Sequence, residues 1–273
     1  MAALLNLYGK GKSLLQYLFS YIKNTFFFET SNVLIANTVS ADITDKGCVR
    51  KRNEDSILSR PALGLWVVAD GMGGHLAGDY ASQKIVATLE NVPVKIVQQS
   101  AILAVSNALE QAHEAIKTYS HEEFGGKTVG STVVVLLLEK QNAHCFWMGD
   151  SRIYRFRDNT LLPLTRDHSQ AFALLEQGVL SLEEVDQHPS SHVLTRAMGS
   201  GEFNLDYKCY PLEKGDKFLL CSDGLYGELS NDEMANVIKE GDVDKNIQIL
   251  LQQALDKGAR DNVSAILLDT NGQ

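Results

Sequence analysis

Three apolar runs of this 273-residue chain each end in an aspartate: Asp70 closes "LWVVAD", Asp150 closes "AHCFWMGD" and Asp223 closes "KFLLCSD". A fourth, Asp261, stands directly before "NVSAILLD", and "NED" (Asn53 to Asp55) places Glu54 and Asp55 ahead of another apolar run. Antiparallel strands bring the end of one beside the start of another, so these acids could share one rim of a sheet. Carboxylates gathered there repel each other, and without a counter-ion some rise in pKa and stay protonated. A hard divalent cation such as Mg²⁺ or Mn²⁺ removes the conflict, because such ions favour oxygen ligands. Glycines follow two of the acids, in "DGMGG" and "SDGL". Gly71 and Gly224 let the backbone fold tightly beside the carboxylate, and the Gly71 carbonyl could be a further ligand. A lone Asp-Gly is an ordinary turn signal, so the pattern predicts a metal site only if the acids converge in space.

The elements that must carry these acids are short β-rich runs at 65–70, 131–138, 143–150, 152–156, 217–223 and 264–269. Four residues separate the second run from the third, and Ser151 alone separates the third from the fourth. Connections so short join antiparallel neighbours, which predicts a meander. Helices are expected between the strands. Ile102, Val105, Leu109, Ala112 and Ile116 form one apolar stripe, as do Ile247, Leu250, Leu251, Ala254 and Leu255 before Gly258. Ser230 with Glu233 reads as a capping box opening a helix to about Lys239. Strands flanked by amphipathic helices indicate an α+β protein whose helices cover sheet faces. Residues 167–194 have weak periodicity, with Gly178 and Pro189, and read as an irregular insertion that could lie over a site.

Composition narrows the function. Hydrophobic residues make up 44% of the chain and charged residues 22%, ordinary for a globular protein with a sizeable core. A net charge of -9 argues against nucleic acid bound through a basic face. The four cysteines, Cys48, Cys145, Cys209 and Cys221, have no C-x-x-C spacing, which speaks against zinc or a disulfide scaffold and fits a reducing compartment. Cys145 and Cys221 lie in apolar runs and are expected to be core thiols. In the first 30 residues, "SLLQYLFSYIKNTFFF" is apolar, yet lysines keep the region short of the roughly 18 to 20 residues of a membrane span. Leu14, Leu15, Leu18, Phe19 and Ile22 sit at helical spacing. The expectation is a helix packed on the main domain or a partner, with a membrane-surface helix as the alternative.

The segments "GCVRKRNEDS", "VVADGMGGHLAGDYAS", "GSTVVV", "MGDSRIYR", "LTRDHS", "LTRAMG", "LLCSDGL" and "DNVSAILL" follow one another over residues 47–269. This series resembles the metal-dependent Ser/Thr protein phosphatases of the PPM (type 2C) family, above all its compact bacterial branch. The resemblance implies a four-layer αββα fold, a central sandwich of two antiparallel β-sheets with helices on both outer faces. It implies an N-terminal amphipathic extension over 1–32 and a phosphatase domain over 33–273, with residues 167–194 as a flap that helps choose substrates. It implies two ions, Mn²⁺ or Mg²⁺. Asp70 would bridge them, Asp223 and Asp261 would complete one shell, and Glu54 with the Gly71 carbonyl would hold the other. Asp150 matches a ligand of a third, weaker ion. Asp55 would support the water shell, Asn262 would sit just behind the ligands, and Arg50 would grip the phosphate.

The implied reaction is hydrolysis of phosphoserine and phosphothreonine in proteins, by water that the two ions acidify into a nucleophile. Eukaryotic relatives carry a histidine two positions after the bridging aspartate; here that position is Met72, and His75 is the candidate acid for the leaving alkoxide, with a bound water as the alternative. Implied partners are phosphorylated Ser/Thr proteins, including a cognate kinase or its substrates, met by a cytoplasmic monomer. Two rival functions remain at this point: a non-catalytic relative that binds phosphoproteins or a partner, and a metal hydrolase of another phosphoester. Asp167 and His168 are expected to anchor the flap, and Arg196 to tie it to the sheet.

Overall fold

A computed structural model of the chain describes residues 38–73, 77–126 and 128–271, except for the side chains of 94–99. The N-terminal extension and His75 lie outside the described residues. One sheet runs β1 (Val39–Asp45), β11 (Val263–Asp269), β10 (Lys217–Cys221), β7 (Arg152–Arg157) and β8 (Thr160–Pro163) in spatial order. The other runs β2 (Asp55–Arg60), β3 (Leu65–Met72), β5 (Val133–Glu139), β6 (Asn142–Met148) and β9 (Asp206–Pro211), with the short β4 (Gly130–Ser131) paired to β3. Every pairing within the two sheets is antiparallel.

The period-2 alternation of each strand divides its side chains between two cores. Trp66, Val68, Val134, Leu136, Phe218, Leu220 and Ile266 meet between the sheets. Their neighbours in the strands face outward. Leu219, Cys221, Ala265 and Leu267 pack under α6 (Asn231–Lys239) and α7 (Val243–Asp256). Val67, Val133 and Val135 are fully buried on the opposite outer face, where α1 (Ala77–Glu90) and α2 (Val94–Phe124) lie. Burial on both faces is why these strands read as continuous apolar runs. The expected stripe of α2, Ile102 to Ile116, is buried, and the helix kinks at Ser100, where φ is -165° and ψ 82°. Ser230 and Glu233 form the predicted capping box of α6. Cys145 and Cys221 are buried free thiols, as expected. Among the described residues, no helix is long and apolar enough to cross a membrane.

One expectation fails. β5 and β6 pair as a hairpin, but β6 and β7 belong to different sheets. The short-connection rule holds within one sheet. Here Gly149, with φ +114°, turns the chain across the gap between the two, and a Cβ on it would stand 2.6 Å from the Thr132 Cβ.

The flap contains α3 (Gln170–Glu176) and α4 (Leu182–Val185). Its base is fastened as the sequence suggested. Arg152 Nε and Nη2 donate to Asp167, the shortest contact being 2.8 Å. Arg152 Nη2 also donates to Asp186 just after α4, at 2.6 Å. Gly149 N–H donates to His168 Nδ1 at 3.1 Å. Arg196 Nη1 reaches Asp206 at the start of β9, at 2.8 Å.

The Asp167 side chain is only 5% exposed, and removing it leaves the buried Arg152 guanidinium with Asp186 as its remaining acidic partner. Asp167→Ala is expected to cost about 3 to 5 kcal/mol in urea unfolding. Glu176→Ala, which breaks the exposed Arg166–Glu176 pair, should cost less than about 1 kcal/mol. Similar losses in both variants would mean that Arg152 finds a substitute partner.

Candidate active site

The antiparallel layout brings the predicted acids to one rim of the sandwich. Asp70 lies near the end of β3, directly opposite Asp55, the first residue of β2. Glu54 precedes β2. Asp223 begins α5 (Asp223–Tyr226) just after β10, Asp261 stands just before β11, and Asp150 occupies the corner between β6 and β7. Glu54, Asp70, Gly71, Asp150, Asp223, Asp261 and Arg50 all line a single cleft of about 940 Å³. His192 to Arg196, at and just beyond the end of the flap, and the loop around Ser200 to Asn204 line it too.

Neighbouring side chains hold the backbone that presents these acids. Thr132 N–H donates to the Asp70 carbonyl at 2.8 Å, and Asp70 N–H donates to Thr132 Oγ1 at 3.1 Å. Ser131 Oγ donates to the same carbonyl at 2.9 Å. Ser131 and Thr132 thus clamp the backbone of Asp70. Asn262 Oδ1 accepts from Glu54 N–H at 2.8 Å, and its Nδ2 donates to the carbonyls of Lys46 and Arg52 at 2.9 and 2.8 Å. Asn262 therefore fastens the whole loop bearing Arg50 and Glu54 to the segment bearing Asp261. The two Asp-Gly glycines are needed for close approach rather than for positive φ. A Cβ at Gly71 would lie 2.3 Å from the Gly78 carbonyl oxygen, and one at Gly224 would lie 2.0 Å from that of Asn262.

The electrostatics match the crowding expected from the sequence. Asp70 is pushed well above the ordinary carboxylate range, first by desolvation and then by Asp55, Asp223, Asp150 and Asp261. Asp150 is raised by desolvation and then by Asp223 and Asp167. Burial lifts Asp55 to about 7, although Ser222 Oγ donates to its Oδ2 at 2.9 Å. Oδ1 of Asp55 and Oδ1 of Asp223 are buried without a hydrogen-bond partner. Arg50 Nη2 sits 2.5 Å from Asp261 Oδ2, and this contact raises the arginine pKa.

Sequence reasoning missed His192. Its Nδ1 lies 3.1 Å from Asp223 Oδ2 and 4.0 Å from Asp150 Oδ2, and the three residues offer ligand atoms within 4.8 Å of one another. The Asp223 hydrogen bond raises the histidine pKa. The only cue in the chain was its place in an insertion read as covering a site. Behind this trio, Tyr226 OH donates to the Asp150 carbonyl at 2.9 Å, and Arg152 lies 3.8 Å over the Tyr226 ring.

Hard oxygen donors, raised pKa values and orphaned buried oxygens are what a site built for divalent cations presents.

Comparison with known proteins agrees. Residues 50–267 match the family model described as protein phosphatase 2C. The serine/threonine phosphatase stp of Listeria welshimeri is 31% identical over 237 residues, covering 84% of this chain and 94% of that protein. Among solved structures, PppA, a key regulatory component of T6SS in Pseudomonas aeruginosa, is 38% identical with a TM-score of 0.76, covering 85% of this chain and 96% of that one. The Mycobacterium tuberculosis serine/threonine phosphatase PstP/Ppp is 30% identical with a TM-score of 0.80, covering 85% and 98%. The catalytic domain of a serine threonine protein phosphatase PstP, 29% identical with a TM-score of 0.77 over 85% and 97%, was solved in complex with 2 manganese ions. With the family model spanning both the acidic rim and the sheets that carry it, the chain belongs to the protein phosphatase 2C family.

Proposed function

We propose that this protein is a serine/threonine phosphatase that hydrolyses phosphoserine and phosphothreonine esters in proteins. The observation that carries the reading is the convergence of Glu54, Asp70, Asp150, Asp223, Asp261 and Arg50 on one cleft. Two divalent ions would be held by Asp70 together with Asp223 and Asp261 on one side and Glu54 and the Gly71 carbonyl on the other. Asp150 would hold a third, weaker ion, and His192 lies 3.1 Å from Asp223 and 4.0 Å from Asp150 beside it. When bound, the ions supply positive charge for the phosphate and acidify water into the attacking nucleophile.

The chain's own residues do the rest. Bare carboxylates would repel a phosphate dianion, so the cleft cannot take substrate until its acids are neutralised. Asp261 occupies the Arg50 guanidinium here. With Asp261 engaged by a cation, the planar fork of Arg50 would be free to hold two phosphate oxygens and orient phosphorus for in-line attack. The bond from phosphorus to the serine or threonine oxygen breaks, and that oxygen takes a proton, for which His75 is the candidate. Asp55 and Asn262 hold the rim in place from behind. Residues 33–273 are assigned to this domain and 1–32 to an extension. Free cysteines, buried and exposed alike, suit a cytoplasmic enzyme that opposes a Ser/Thr kinase. Since none of Glu54, Asp70, Asp223 and Asp261 is lost, a binding-only role gains no support.

A phosphothreonine peptide should be hydrolysed with Mn²⁺ and not with EDTA, and Asp223→Asn should lower kcat at least ~100-fold. Equal rates under all three conditions would remove the metal mechanism. Arg50→Ala should act mainly on KM, raising it about tenfold; a pure kcat loss would contradict a phosphate grip.

The metal also sets a pH dependence. Asp55 stands at about 7 in the folded protein against an ordinary 3.8. The native state therefore holds extra protons between those values, and its metal-free stability falls as pH rises through this window. Bound cations offset the loss. The Tm gain on adding Mn²⁺ should exceed that at pH 5 by at least ~3 °C at pH 8, a shift of about 1 kcal/mol in a chain of this size. A gain independent of pH would mean that the acids are already ionised without metal.

A further inference from the structure

We propose that the loop joining β1 to β2, together with Arg260, reads acidic residues that flank the phosphorylated side chain of the substrate. The proposal rests on the phosphatase reading and adds a substrate class to it.

The loop sequence is "KGCVRKR", residues 46–52, in a chain of net charge -9. Arg50 of this loop lines the cleft, and its neighbours Lys46, Lys51 and Arg52 are exposed. Asn262 Nδ2 binds the carbonyls of Lys46 and Arg52, at the two ends of the loop. Cys48 N–H donates to the Ala259 carbonyl at 2.9 Å. Gly47, with φ +72°, lies so close to the 259–261 turn that a Cβ would stand 2.1 Å from the Asp261 carbonyl oxygen. The loop is therefore pinned against the segment that carries Arg260 and Asp261, so that Lys51 and Arg260 are the chain neighbours of the Arg50–Asp261 pair and Lys46 stands in the same loop.

These side chains are exposed and uncommitted. Among the described residues, Lys46, Lys51 and Arg260 make no side-chain hydrogen bond or ion pair. Glu228 accepts from the Arg260 backbone N–H, not from its guanidinium. Arg52 has only Asp79, 4.0 Å away. Among the described residues the cleft lining holds only two other basic side chains, His192 and Arg196, and these are tied to Asp223 and Asp206. A phosphate held by Arg50 places the next residues of an extended peptide within reach, at roughly 3.3 Å per residue. Carboxylates within about three positions of the phosphoresidue fit this strip. Because the backbone is already fixed, little ordering is lost when they bind.

The test uses matched phosphothreonine peptides with aspartate, alanine or lysine at the flanking positions, on the full chain with Mn²⁺, and p-nitrophenyl phosphate as a substrate with no flanks. The kcat/KM ratio of acidic to neutral peptide should be about three- to tenfold in the wild type, the sum of a few exposed pairs. It should shrink toward unity at ~0.5 M salt. In Lys46→Glu/Lys51→Glu/Arg260→Glu the ratio should vanish or invert. Equal use of all peptides by the wild type, with p-nitrophenyl phosphate turned over, overturns this proposal alone. So does a preference that survives the triple reversal. No turnover of any substrate overturns the phosphatase reading itself.

Discussion

Mutual repulsion among carboxylates forced to one rim is the constraint that organises this molecule. Asp55 and Asp70 face each other across a strand pair, and Asp150, Asp223 and Asp261 raise or sense the same field. Such a cluster is unfavourable in the bare protein, and it stays in place because the surrounding fold leaves it no way to spread. The consequence is a site that demands cations, and cations in turn make a phosphate dianion welcome where it would otherwise be expelled.

The scaffold achieves this with hydrogen bonds to the backbone that carries the acids. Asn262 holds the amide of Glu54 and the carbonyls of Lys46 and Arg52. Ser131 and Thr132 hold the backbone of Asp70. Tyr226 holds the carbonyl of Asp150 while stacking under Arg152. Supporting groups thus fix the positions of the acids, while Oδ1 of Asp55 and Oδ1 of Asp223 stay buried without a partner. Outer partners of this kind orient ligands without competing for the ion.

Much of this was legible in the chain because strands buried on both faces appear as unbroken apolar runs, and an aspartate at the end of such a run stands out. Asp70, Asp150, Asp223 and Asp261 were found that way, as were the stripe of α2 and the capping box of α6. The edge strands were not. β1 ("VSADITD"), β8 ("TLLP") and β9 ("DYKCYP") mix polar residues and proline into short runs at or near sheet margins, where solvent blurs the apolar signal. The jump from β6 to β7 across the sandwich was hidden because a three-residue corner looks the same whether it joins one sheet or two. His192 left no periodic trace, since only the folding of the flap brings it to Asp223.

Register explains why so few residues suffice. Asp55 and Asp70 pair directly, and the next pairs along, Ser56 with Ala69 and Ile57 with Val68, alternate between the faces of the sheet. A slip of one residue would invert that alternation, driving the apolar set of one strand out of the core. The core between the sheets, centred on Trp66 and Val68, therefore fixes where the acids stand. The crowded glycine contacts at the rim tighten this further: Gly71 has room for neither a Cβ nor a shift toward Gly78. Hydrophobic alternation sets the position of Asp70 along the strand, and backbone contact sets its depth. The chemistry at the rim is thus carried by packing that begins several residues below it.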